Sequence, residues 1–339
     1  MTDSPALSSP ATRFAEARSP ESYQRLAVIA KSDARKDHAF AWLTGLAAWS
    51  VFFTLLATIV TMYWGGREAF STFGFGFITS STWDPVNLQF GAFVPIYGTL
   101  VTSLIALIIA VPISFGIAVF LTELAPNWMR RPVGTAIELL AGIPSIVYGM
   151  WGLFVLVPFL GEHVFPWMDE HLGQLWLIGP VFRGPPLGVG MGTAGLVLAI
   201  MVIPFISSIM REVFLSVPSQ LKESAYALGS TTTEVVWHIV LPYTRSASIG
   251  AIFLGLGRAL GETMAVTFVL GNSFNFSPSL LDPGTSITAT IANEFAEASV
   301  SPLYESSLIA LAFVLFMVVL AVLVPAKLML RQLAKRAGS

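Results

Sequence analysis

The sequence predicts an all-α, polytopic membrane protein with six transmembrane helices. Three observations carry this prediction. Of 339 residues, 55% are hydrophobic and only 11% charged, against about 25% charged in soluble domains, so a large core could not be covered with polar surface. Six segments reach the roughly 20 mostly apolar residues that cross a bilayer. Lysine and arginine are also shared very unevenly between alternate loops.

Residues 1–38 mix basic and acidic side chains and contain no apolar core of the kind a signal peptide needs. They are expected to form a cytoplasmic tail, partly disordered, with a short helix around 22–34. The spans are expected at 40–64, 93–124, 133–160, 191–217, 246–272 and 306–330. Pro112, Pro144 and Pro204 fall inside them, and a bundle tolerates such prolines because neighbouring helices and waters satisfy the freed carbonyls. This divides the chain into a tail (1–38), a first span (39–64), a core of five spans (92–331) that contains an inward loop at 217–245, and a short tail (332–339).

Orientation follows from Lys and Arg. If the N-terminus is cytoplasmic, the basic residues of the tail, Arg130, Arg131, Arg211, Lys222, Arg245 and those near the C-terminus all lie inside. Only Arg67 and Arg183 fall in outer loops, and only Arg258 falls within a span. Both termini are therefore expected in the cytoplasm. The outer loops, roughly 65–92, 161–190 and 273–305, are long and rich in Trp, Phe, Pro and Gly, which suits either docking to something outside or simple connection.

Several motifs resemble chemistry without supporting it. Residues 190–195, GMGTAG, fit G-x-G-x-x-G, but no strand and βαβ unit surround them, and close helix packing through small residues accounts for them better. Glu162, His163, Asp169, Glu170 and His171 cluster in sequence, but their spacing matches no standard zinc pattern. No lysine follows a glycine, so no phosphate-cradling Walker loop is present. There is no cysteine and no nucleophile arrangement. No catalytic residue, bound metal or cofactor is expected in this chain, and ATP, if used, is bound by another chain.

Residues 217–245 read VPSQLKESAYALGSTTTEVVWHIVLPYTR. Apolar residues recur at helical spacing, Gly229 interrupts them and Pro242 closes the run. Two short helices meeting at Gly229 are expected at the membrane surface, either presenting a knob to a partner or anchoring the loop. Glu223, Ala225 and Gly229, followed by Ile239, Leu241 and Pro242, fit E-A-A-x(3)-G-x(9)-I-x-L-P, with Ser224 in place of the first alanine. In this the chain resembles the permease subunits of bacterial ABC importers. GLGRALGETMAVTFVLGN (255–272), ITATIANEFAEA (287–298) and IPSIVYGMWGLFVLVP (143–158) narrow the resemblance to the phosphate-specific permeases, of the PstC type more than the similar PstA type.

The resemblance implies a type I ABC importer permease fold with a cytoplasmic coupling helix. It implies a bacterial inner-membrane complex with a homologous PstA-type permease, two PstB-type ATPase subunits that hold ATP and magnesium, and a PstS-type extracytoplasmic phosphate-binding protein. Glu223, Ala225, Gly229, Leu241 and Pro242 would form the loop that meets the ATPase. The remaining expected contacts are with lipid, and none is with nucleic acid.

The fifth segment raises a separate question, because it holds Arg258 and Glu262 near its middle. A charge there costs about 2.5–3.5 kcal/mol on insertion scales and usually faces a bundle interior or aqueous path. On one helix the two residues would share a face, although Arg before Glu is the weaker order for helix stability. The sequence leaves open a structural ion pair and a site in which the guanidinium contacts a transported anion and Glu262 orients it. Thr263 is a candidate hydroxyl donor on the same path. Gly255, Gly257 and Gly261 would let another helix or the anion approach the backbone. Competing functions are the import of another oxyanion, such as sulfate or molybdate, and a secondary anion transporter or channel.

Overall fold

A computed structural model describes the backbone of residues 20–337 and the side chains of 36–328; residues 1–19 of the tail expected at 1–38 lie outside the described residues. Among the described residues, six helices are long and apolar enough to cross a membrane: Lys36–Gly65, Phe93–Leu124, Ser145–His171, Met191–Leu215, Thr232–Leu260 and Pro302–Leu328. We refer to them as the first to sixth spans. The chain separates into two compact units, residues 1–61 and 62–339. Within the first unit the described residues, 20–61, form a single helix, and the short helix expected around 22–34 is continuous with it.

The second and fourth spans form the centre of the larger unit. Lipid is as apolar as leucine, so helices in a membrane associate through close packing rather than water exclusion. Ala106, Ala110 and Ala118 of the second span, and Ala194, Leu198 and Val202 of the fourth, are accordingly buried. A side chain on Gly195 would stand 2.6 Å from Ile105 Cγ2, so the backbones meet where glycine allows it. Ser114 Oγ donates across the pair to Ile203 O at 3.1 Å. Pro112 and Pro204 lie within uninterrupted helices.

Two expected spans are corrected. Residues 133–160 are not one helix. An amphipathic helix, Asn127–Ala141, ends at Gly142, and the third span starts after Pro144. Proline disfavours the helical conformation of the residue before it, so Ile143 breaks the run. The segment 246–272 is likewise interrupted. The fifth span begins earlier, at Thr232, and ends at Leu260, with only a short helix, Met264–Thr267, beyond it. The second of the two surface helices expected at Gly229 is therefore the foot of this span.

Four wide turns with i→i+5 hydrogen bonding interrupt the spans, at Phe120–Leu124, Gly152–Leu156, Leu160–Val164 and Val236–Val240. Each ends two residues before a proline: Pro126, Pro158, Pro166 or Pro242. A proline donates no N–H and its ring crowds the carbonyl four residues back; widening the preceding turn relieves both.

At the end of the bundle away from residues 217–245, a hairpin of Trp83–Asp84 with Gln89–Phe90 departs from an all-α plan. Asp84 accepts hydrogen bonds from the side chain and backbone of Asn87, and these hold its carboxyl below the usual range. Trp83 stacks on Phe274, and Phe90 on Tyr304, at 5.5 and 5.0 Å between centroids. Tyr304 also donates to Glu294.

Candidate functional site

Residues 255–272 fold as a helix end followed by irregular chain. The fifth span ends on Gly261, and Glu262 and Thr263 take no regular structure. In the short helix and just after it, Ala265, Val266, Val269 and Leu270 are buried. Glycines in the third span make room for them: a side chain on Gly149 would meet Ala265 Cα at 3.0 Å, and one on Gly152 would meet Val269 at 3.0 Å. Non-helical backbone at membrane depth is tolerated where protein buries it or where it lines a cavity.

Arg258 lies in the last turn of the fifth span. There the helix carbonyls favour a cation. Its guanidinium carbon sits 5.3 Å from the ring centroid of Phe205 in the fourth span, a cation–π contact. Its Nε is enclosed and has no hydrogen-bond partner. The expectation that Glu262 shares Arg258's face is corrected. Because the helix ends between them, Glu262 does not stand one turn above, and the ion pairs among the described residues do not join the two. Glu262 instead turns to the next segment. Its Oε1 accepts from Ala265 N at 3.4 Å, and its carbonyl accepts from Thr288 Oγ1 at 2.6 Å. Thr263 contributes its carbonyl, which accepts from Thr267 Oγ1 at 2.8 Å. The charge at Arg258 is thus held by a helix end and an aromatic face, with no carboxylate neutralising it among the described residues.

The three glycines differ. Gly255 is buried, and a side chain there would stand 2.5 Å from Ile206 Cδ1. Gly257 has ordinary clearance from Leu323, at 3.6 Å, and Gly261 faces only its own helix. Close approach within this chain therefore rests on Gly255 alone.

Thr288 belongs to a polar knot beside this break. Ser286 Oγ caps the helix Ile287–Glu294 by accepting from Ala289 N. Thr285 and Thr290 pair at 2.9 Å, and Thr99 Oγ1 of the second span accepts from Ile287 N at 2.9 Å. Sequence reading missed Phe205, Thr99 and Thr288. Phe205 is one of many phenylalanines, and hydroxyls in an apolar run usually bond their own helix, so neither carries a signal.

At the other end of the bundle the helix Ser219–Ala227 closes on Gly229, whose φ of 89° is left-handed. Gly229 N bonds to Tyr226 O and Ser230 N to Ala225 O, the paired bonds of a Schellman cap, for which glycine is preferred. Thr231 and Glu234 then form a reciprocal capping box that starts the fifth span. Glu223, Leu221 and Tyr226 are exposed, and Leu228 at the tip is 88% exposed. Ala225 packs against the core. Leu241 is half-buried and Pro242 exposed, at the point where the helix recovers from its wide turn.

No three His, Asp or Glu side chains gather to hold a metal among the described residues. Asp169 Oδ1 accepts from Gly184 N, and the imidazoles of His163 and His171 stack on Phe159 and Trp167.

Residues 110–338 match the family of binding-protein-dependent transport system inner membrane components. The chain belongs to that family. It is 64% identical over 307 residues, 91% of its own length and 94% of the relative's, to a protein of Xylella fastidiosa (strain 9a5c) named phosphate transport system permease protein PstC. Proteins of the same name from Pasteurella multocida and Haemophilus influenzae are 56% and 53% identical over 88% and 89% of this chain and 93% and 95% of their own. Two solved structures share the fold. One is a bacterial alginate ABC transporter with an alginate-bound periplasmic protein, at a TM-score of 0.53 and 20% identity over 85% of this chain and 96% of that one. The other is the inward-facing MetNI methionine ABC transporter, at 0.51 and 16% over 70% and 94%. The family member described here is thus a multi-pass membrane permease subunit with the fold of ABC importer permeases.

Proposed function

We propose that this chain is the PstC-type permease subunit of an ATP-driven importer of inorganic phosphate. The name carried by relatives that align along nine-tenths of the chain supports the substrate. One structural observation supports the site: Arg258 holds a permanent charge at a helix end, with no carboxylate neutralising it among the described residues. A guanidinium presents a planar fork of donors that fits phosphate oxygens. An anion losing its hydration on the path needs such donors. A single cation lowers the barrier without trapping the anion, since transit needs a site favourable to enter and weak enough to leave. Glu262 and Thr263 lie in the break that directly follows the helix end carrying Arg258.

The partners we assign are a PstA-type second permease, two PstB-type ATPase subunits and a PstS-type phosphate-binding protein outside. ATP and magnesium belong to the ATPase chain. The exposed tip around Leu228, with Glu223 beside it, suits insertion into a cleft of that ATPase, and the Gly229 cap fixes its angle. The test is uptake of labelled phosphate by membranes from which an ATPase co-purifies with this chain. Unlabelled phosphate should compete, and sulfate and molybdate should not. Competition by either of these at similar concentrations would move the substrate to another oxyanion, and absence of an ATPase would point to a secondary transporter.

In the orientation we propose, both termini and residues 217–245 face the cytoplasm. With no native cysteine to remove, single cysteines report it directly. Ser299→Cys, at an exposed position, should react with a membrane-impermeant thiol reagent in intact cells. Ser219→Cys, also exposed, should react only after permeabilisation. The reverse pattern would invert the topology.

A further inference from the structure

We propose that the ion pair between Lys222 and Glu123 is the mechanical tie by which the coupling helix moves the second span, and through it the Arg258 end of the site. This rests on the coupling role proposed above for residues 217–245. It makes Lys222 and Glu123 positioning residues that touch neither ATP nor phosphate.

Lys222 Nζ lies 2.6 Å from Glu123 Oε1, and their side chains are only 16% and 5% exposed. No residue of the helix Ser219–Ala227 is fully buried. Among the described residues, Lys222 makes the only side-chain hydrogen bond from this helix to another span; the apolar contact the helix makes with the core is through the single methyl of Ala225. Apolar contacts of that size slide easily. An enclosed carboxylate does not part from its cation without leaving a buried charge unpaired, so this pair resists separation. It also joins two specialised backbones. Glu123 sits in the wide turn that ends the second span, and Lys222 precedes Glu223 at the middle of the surface helix.

The second span leads from there to the site. Thr99 stands one helix length away, about 36 Å at 1.5 Å per residue. Its hydroxyl accepts from Ile287 N, the neighbouring Thr288 donates to the carbonyl of Glu262, and Gly98 lies against Thr285 O. These contacts leave no gap between the span and the chain that follows Arg258. Between its ends, the Ser114 bond and the Gly195 contact lock the second span to the fourth, which carries Phe205 over the guanidinium. A push on Lys222 therefore reaches both walls around Arg258. Such a path counts as coupling only if breaking it alters coupling rather than assembly.

The test uses the whole transport complex in proteoliposomes, with ATP hydrolysis and labelled phosphate uptake measured together. Glu123→Gln and Lys222→Gln should each keep the ATPase bound and hydrolysing while uptake per ATP falls about tenfold or more, within the usual range of coupling factors. The exchanged pair, Glu123→Lys with Lys222→Glu, should recover most of the loss. Normal uptake per ATP in both single variants would overturn the proposal. If the single variants fail to assemble, the exchanged pair decides: recovered assembly and uptake support the tie, while recovered assembly with poor uptake, or no recovery, defeats it. Gly229→Asp, which distorts the docking tip, separates this from the reading beneath it. If Gly229→Asp transports normally, the coupling role of the loop fails. If it uncouples and the charge variants do not, only the tie fails.

Discussion

Arg258→Gln is expected to reduce phosphate uptake on the order of 100-fold while leaving the protein in the membrane and bound to its ATPase. Charge-assisted hydrogen bonds contribute about 1.5–3 kcal/mol each, and about 1.4 kcal/mol is a factor of ten, so losing one or two from the transit state accounts for this size. Assembly should survive because the substitution strands no carboxylate: no ion pair joins Arg258 to Glu262. Glutamine keeps a donor and part of the aliphatic stem, though not the guanidinium over Phe205. Arg258→Lys should recover only part of the rate, since an ammonium keeps the charge but loses the planar fork. Glu262→Gln should have a smaller effect than any change at Arg258, because its carboxylate only caps Ala265 N at a long 3.4 Å. The double variant Arg258→Gln with Glu262→Gln should be as inactive as Arg258→Gln. Recovery in that double variant would return the pair to a purely structural role. The measurement is initial uptake of labelled phosphate at matched amounts of membrane protein.

How much of this was legible in the sequence depends on the range of each signal. The six apolar runs are local, and each of the six membrane-length helices overlaps one of them. The Gly229 cap is local too, since a glycine after a helical run needs only its own φ to matter. Hydropathy misplaces the start of the third span and the end of the fifth for one reason. Hydropathy measures transfer to lipid, and residues 133–160 and 246–272 are apolar throughout, yet Pro144 and the stretch Gly261–Thr263 stop the helices inside those runs. An apolar run can be a helix or buried irregular chain, and only its packing decides. Gly149 and Gly152, 110 or more residues away, provide that packing. The same limit applies to the site. Arg258 stood out as a charge in an apolar run. Helical spacing makes Glu262 its partner only if the helix continues, and it ends at Leu260. Lys222 and Glu123, 99 residues apart, pair only in the fold. A lone glutamate at the end of an apolar run was their one visible trace.

The tightest demand of the fold at this site falls on Gly98, and replacing it should be among the most damaging single-methyl changes in the chain. A Cβ there would overlap the carbonyl oxygen of Thr285. That oxygen is backbone and cannot rotate away like a side chain, so either the second span or the loop must move. Overpacking of this kind costs about 1–3 kcal/mol. The displacement also pulls on the neighbouring bonds, Thr99 Oγ1 with Ile287 N and Thr288 Oγ1 with Glu262 O. Gly98→Ala is therefore expected to lower the melting temperature of the detergent-solubilised protein by several degrees. It should also reduce uptake about tenfold or more, because about 1.4 kcal/mol is tenfold in rate or affinity and the chain after Arg258 is held through these bonds. Gly116→Ala on the same span is the control. Nothing lies within 4 Å of the methyl it adds, and alanine is the better helix former by about 0.8–1.0 kcal/mol, so this variant should be as stable as the parent or more so and transport normally. Equal effects at Gly98 and Gly116 would mean that the second span does not touch the loop in the working transporter. A melt change at Gly98 without a change in uptake would show that the contact holds the fold but does not shape the site.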